Sequence, residues 1–119
     1  MTSHAKLDTE ALRQAHERHD WELLTSLYAD EAQSITVDKN NPPSTPRVQR
    51  GREQIGAFWQ EVMGRDKTDK VQNLLEGGER VSFQVDCLYP DGTRVLASHT
   101  LELEDGRIAR EWLVQAWDG

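Results

Sequence analysis

From Arg94 to Trp117 apolar and polar residues take turns along the chain. Val95, Ala97, His99, Leu101 and Leu103 alternate with Leu96, Ser98, Thr100, Glu102 and Glu104. After Asp105-Gly106, Ile108, Arg110, Trp112 and Val114 alternate with Ala109, Glu111, Leu113 and Gln115. A period of two joined by Asp-Gly predicts a β-hairpin, and its apolar side carries one histidine, His99. Further strands are expected over Lys70–Leu75 and Arg80–Tyr89, with Arg94–Glu104 and Arg107–Trp117 completing the set. A three-residue loop, Pro90-Asp91-Gly92, keeps one face apolar by setting Phe83 opposite His99 and Val85 opposite Ala97. A two-residue turn at Asp105-Gly106 then predicts the rows Phe83–His99–Trp112 and Val85–Ala97–Val114. Arg110 falls inward beside Leu101 and Val81. Ser82, Gln84, Ser98, Thr100, Glu102 and Glu111 fall on the other face, polar enough for water or a wet dimer contact.

The first half of the chain has the helical period. Asp8 can cap a helix with Leu12, Ala15, His16 and His19 on one stripe. Asp20 can cap a second, from Trp21 to about Tyr28, which buries Leu23, Leu24 and Leu27. Ala32–Val37 reads as a strand. Asn40-Asn41-Pro42-Pro43 breaks it, leaving Asp38–Arg50 as a long irregular connection of the kind that often serves as a lid. Gly51 opens a third helix, with Ile55, Phe58, Trp59 and Val62 at i, i+3, i+4 and i+7, and Gly64 ends it. Helices first and antiparallel strands after them is the α+β order, and 119 residues make one domain, 1–119.

Composition removes several classes of function. With 14 Lys and Arg against 21 Asp and Glu, the net charge is −7. The basic residues are scattered, so neither nucleic acid nor an anionic membrane is an expected partner. One cysteine, Cys87, rules out an internal disulfide and suits a reducing compartment. Met1 to Lys6 lacks the apolar core of a secretory signal, and no apolar run is long enough to span a bilayer, so a cytoplasmic protein is expected.

Two segments, Asp20-Trp21-Glu22-Leu23-Leu24-Thr25-Ser26-Leu27-Tyr28-Ala29-Asp30-Glu31-Ala32 and Gly51-Arg52-Glu53-Gln54-Ile55-Gly56-Ala57-Phe58-Trp59, carry a family resemblance. Together with the hairpin Asp105-Gly106-Arg107-Ile108-Ala109-Arg110-Glu111-Trp112, they resemble the SnoaL-like and ketosteroid-isomerase-like branch of the NTF2-like superfamily. The resemblance runs from about Ala11 to Asp118. It implies a cone: a strongly bent, mostly antiparallel sheet wrapped around three N-terminal helices, with an apolar cavity and, commonly, a homodimer. Ketosteroid isomerases use an Asp base with an oxyanion hole of Tyr and protonated Asp. Matched position by position, the Tyr falls at Leu12, the base at Thr36 with Asp38 two residues on, and the protonated acid at His99. Leu12 cannot donate, which argues against steroid isomerisation and leaves the cavity standing.

Each candidate reads two ways. His99 is a core imidazole satisfied by a hydroxyl or carbonyl, or the donor or acid of a pocket. Asp38 is a turn former, or a base at the cavity mouth. His16 packs the first helix, or supplies a second polar group. Tyr28, Trp59, Phe83 and Trp112 are core, or walls for a compact lipophilic ligand. His16 and His19 lack metal-ligand spacing, so no metal is expected, and desolvated titratable groups would need no cofactor. The expected function is proton-transfer chemistry (isomerisation, cyclisation or dehydration) on such a ligand, with His99, Asp38 and His16 catalytic. The competing expectation is a non-catalytic ligand-binding or dimerisation module of the same fold.

Overall fold

A computed structural model describes residues 6–119. Apart from Lys6, the N-terminal stretch read for a secretory signal lies outside the described residues. Helix α1 (Thr9–Glu17) is followed by α2 (Trp21–Ser26), and strands β1 (Tyr28–Val37) and β2 (Arg47–Arg50) precede α3 (Gly51–Met63). Strands β3 (Thr68–Gly77), β4 (Arg80–Leu88), β5 (Arg94–Glu104) and β6 (Arg107–Trp117) complete one six-stranded sheet in the order β2-β1-β6-β5-β4-β3. The sheet is mixed, because β1 runs parallel to β6 while all other neighbours are antiparallel. Helix α1 packs on β3, α3 on β1 and β2, and α2 lies against both helices. The result is an open α+β cone.

Local chemistry places the ends of these elements as the sequence predicts. Asp8 and Asp20 accept from Ala11 N and Leu23 N, each at 3.0 Å, and so satisfy amides that have no partner in the first helical turn. Leu12, Ala15 and His16 face the core from α1. Gly51, with φ at +84°, turns the chain from β2 directly into α3. Two expectations are revised. Helix α2 stops at Ser26, so β1 begins at Tyr28 rather than Ala32. The connection Asp38–Arg50 is no lid: an Asp38–Asn41 bridge and pairing from Gln33↔Arg50 to Thr36↔Arg47 fold it back as an edge hairpin.

The strand registers decide what faces the interior. As expected from Pro90-Asp91-Gly92, Phe83 pairs with His99 and Val85 with Ala97. The last hairpin departs from expectation. Asp105 and Gly106 both have positive φ, at 53° and 76°, as a two-residue turn requires, and Leu103 pairs with Ile108. The next pair is Glu102↔Arg110, so Ala109 is an extra residue. One inserted residue swaps the two faces of everything that follows. His99 therefore sits opposite Leu113 and Ala97 opposite Gln115. Trp112, Val114 and Arg110, all expected inside, lie on the outer face; Val114 is 50% exposed and Arg110 stacks over the Trp112 ring. Glu111, expected outside, is 1% exposed in the core.

Candidate active site

Glu111 is the residue that sequence reasoning missed, and it organises the interior. Its Oε1 accepts from the Tyr28 hydroxyl at 2.5 Å and from Ser34 Oγ at 3.1 Å. Its Oε2 lies 2.7 Å from His99 Nδ1. A carboxylate already holding two hydroxyl protons acts as an acceptor, so Nδ1 is the donating nitrogen of the imidazole and Nε2 is left over. Pairing of β1 with β6 explains the meeting, since Ser34 is level with Glu111 and Tyr28 with Ile108 one turn of the pleat away. Three donors on one buried carboxylate offset much of its desolvation. The missed signal was a requirement rather than a motif: a buried histidine needs an acceptor, and Glu111 is the carboxylate on the neighbouring strand close enough in sequence register to supply it.

Tyr28 is a hub. Its oxygen accepts from the Trp59 indole at 3.1 Å while its proton goes to Glu111. Burial, and then the Glu111 carboxylate, push its ionisation well above the ordinary tyrosine range, so it stays a donor. The His99 ring stacks on Phe83, with centroids 4.5 Å apart, and lies parallel to Trp59 at 6.0 Å. His16 presents an edge to His99 at 5.2 Å, and to Trp59 and Phe83 at 5.3 and 5.4 Å. Burial first, then the positive potential of His99, Lys67 and His19, holds His16 well below the usual histidine value, so it is a neutral imidazole.

His99, His16 and Trp59 line a cavity of about 30 Å³ with Val85, Ala97 and Leu113. That volume takes about two waters. Trp117, Tyr89 and Arg65 line its outer end, where Trp117 stacks on Tyr89 at 5.8 Å and Arg65 donates to the Tyr89 hydroxyl at 3.4 Å. The structure thus brings together His99, His16, Trp59, Phe83 and Tyr28. It leaves out Asp38, whose Oδ1 accepts from Asn40 N at 2.8 Å and Asn41 Nδ2 at 2.9 Å in the turn geometry typical of aspartate. It also leaves out Trp112, on the far side of the sheet. Thr36, the position matched to the isomerase base, is fully buried with no partner for its hydroxyl among the described residues. No group of three potential metal ligands occurs among the described residues.

A family model for the SnoaL-like domain matches residues 9–111. No curated protein matches the chain. Among solved structures, a candidate ketosteroid isomerase from Kribbella flavida superposes with a TM-score of 0.73 at 21% identity, covering 93% of this chain and 75% of that one. An NTF2-like protein of unknown function from Mesorhizobium loti gives 0.75 at 19% identity, covering 93% and 90%. A candidate polyketide cyclase from Sinorhizobium meliloti gives 0.67 at 18% identity, covering 88% and 91%. At such identities the likeness shows the fold, which is NTF2-like.

Proposed function

Since the chain belongs to the SnoaL-like domain family, we propose that it is a small enzyme that moves a proton on a compact organic ligand held at His99. One observation carries the reading: an imidazole fixed by a carboxylate at Nδ1, in a residue that lines a cavity. A carboxylate on one ring nitrogen fixes the tautomer and steadies the imidazolium formed when the other takes a proton. His99 is then the base, Glu111 its positioning residue, and neutral His16 the second imidazole that returns or relays the proton. Trp59 lines the cavity, while Phe83 packs against the His99 ring and Tyr28 holds Glu111. Because the family hosts many chemistries, the reaction is given as a class, covering isomerisation, cyclisation and dehydration. A ligand would enter past Tyr89 and Trp117, which line the outer end of the cavity.

The test is α-proton exchange of small enolisable ketones in D2O, followed by NMR. Wild-type protein should speed exchange, and His99→Gln should lose about 10²–10⁴ of that acceleration, the usual yield of a positioned base. Equal exchange with and without His99 would turn the assignment toward a non-catalytic binding module. At about 30 Å³ the cavity is far below the roughly 300–1,000 Å³ of typical ligand pockets, so either reading requires it to open on binding.

The proposal extends to assembly and place. We take the 119 residues as one domain that pairs as a homodimer through the outer sheet face, where Val48, Ile35, Val37, Trp112, Val114 and Leu96 form an apolar band. A buried free thiol at Cys87 supports a reducing, cytoplasmic setting.

A further inference from the structure

The residue inserted at Ala109 turns a second polar side chain into the cone besides Glu111. The simple hairpin register puts Gln115 on the outer face; with one residue added before it, Gln115 pairs with Ala97 and lines the cavity with His99 and Trp117. Its Oε1 accepts from the Trp117 indole at 3.0 Å. An indole N–H can only donate, so the end of the amide that faces it is the oxygen. Nε2 is the end left over, and it makes no hydrogen bond to the described residues. Gln115 is only partly buried and lies on the way in past Tyr89 and Trp117, so an entering molecule meets its amide. Neighbouring donors on the cavity wall are engaged elsewhere. Trp59 and Trp117 each have one N–H and direct it to Tyr28 and to Gln115 itself, and Lys67 is held on Asp69.

We propose that Gln115 is the electrophile of the site, its Nε2 donating to the carbonyl oxygen of an enolisable ligand whose α-proton goes to His99. This rests on the function proposed above and narrows its ligand to carbonyl compounds. Leu113 lies opposite His99 and Gln115 opposite Ala97, so base and donor are diagonal neighbours on one sheet face. Such neighbours are about 7–8 Å apart at the backbone, within reach of long side chains. A carbonyl oxygen and its α-carbon are two bonds apart, so a small ketone presents both to the pair at once. When His99 Nε2 takes the proton, the C–H pair becomes the new C=C bond and the carbonyl π pair moves onto oxygen. The enolate charge then falls on the Gln115 N–H, which keeps its proton, and return of a proton from His99 to carbon completes the cycle without a co-reactant. A fixed donor in a cavity that holds little water is effective because nothing has to reorganise as the charge appears. Trp117 is a positioning residue, since its indole fixes which end of the amide is offered.

The whole chain, isotopically labelled, is titrated by NMR with cyclopentanone and with methylenecyclopentane, which has the same shape and no oxygen. Exchange of the cyclopentanone α-protons in D2O is measured in parallel. The ketone should bind about twofold to tenfold more tightly, the usual worth of one neutral hydrogen bond, and should move the Gln115 side-chain amide resonances. Gln115→Glu keeps an acceptor for Trp117 but has no donor at neutral pH. It should lose the preference and slow exchange by about 10²–10³, the usual cost of removing one such donor. Gln115→Met, apolar and of similar length, should do the same and carries the measurement if the added charge disturbs folding. Equal affinity of the wild-type chain for the two compounds, or unchanged exchange in both variants, overturns the assignment. A ketone preference that survives in His99→Gln, with no exchange in any form, leaves the carbonyl contact at Gln115 standing and removes the base.

Discussion

A carboxylate that holds three donors at once is costly to disturb. Glu111→Leu strands the Tyr28 and Ser34 hydroxyls and His99 Nδ1 in a dry interior. It should lower unfolding free energy by about 3–5 kcal/mol, as breaking a buried pair does, and urea denaturation reads it directly. Pairing it with His99→Leu removes one stranded donor and should recover part of the loss. Recovery of none would mean that the imidazole and carboxylate are energetically uncoupled. His16 adds a pH dependence of definite sign. Its folded-state ionisation lies well below the ordinary 6.5, so the unfolded chain takes up a proton that the folded chain refuses. Stability is complete above about pH 6.5 and declines as pH falls from there toward the depressed folded value. His16→Phe should flatten that decline in melting curves taken across the range, provided the other histidines are left in place.

At the scale of elements, the turn and the extra residue after it matter more than any single side chain. Asp105 and Gly106 both hold left-handed backbone, so Gly106→Ala should cost about 1–2 kcal/mol with an unchanged denaturant slope. Deleting Ala109 is a stronger intervention, because it restores the simple hairpin register. Glu111 and Leu113 would then turn outward while Arg110, Trp112 and Val114 turned in. Loss of near-ultraviolet circular dichroism is the expected outcome, since Tyr28, Ser34 and His99 would all lose their shared acceptor. The elements themselves were legible because their signals are local: Asp8 and Asp20 caps, the Asp91-Gly92 and Asp105-Gly106 turns, and the stripe Ile55, Phe58, Trp59, Val62. Even the Phe83–His99 pair followed from loop length. The site was only half legible, because Ala109 carries no mark of its insertion. Counting apolar residues misled, since Arg110 apart, the simple register looks the more hydrophobic. The bulge gives up that pattern to bring a carboxylate to an imidazole, and such departures gather where function does.

For the molecule as a whole, the same inserted residue has two consequences. It turns Glu111 into the cone and turns Trp112 and Val114 out of it, so the interior becomes polar as the outer sheet face becomes apolar. Ile35 pairs with both Val48 and Trp112, and Val37 with Val114, which makes a continuous band across β2, β1 and β6 that Leu96 of β5 extends. Val114, Leu96 and Val48 are 50%, 39% and 37% exposed, whereas a polar outer face would place charges at these rows. A face of this kind is covered most simply by its own copy about a two-fold axis, which matches the band to itself. Val114→Glu at the centre of the band should therefore yield a monomer by light scattering and remove the concentration dependence of the melting temperature. Because Val114 points away from the cavity, exchange at His99 should persist in that monomer. If the wild-type chain is already monomeric at high micromolar concentration, the band needs another occupant and the paired assembly is withdrawn, with the acid–base site untouched.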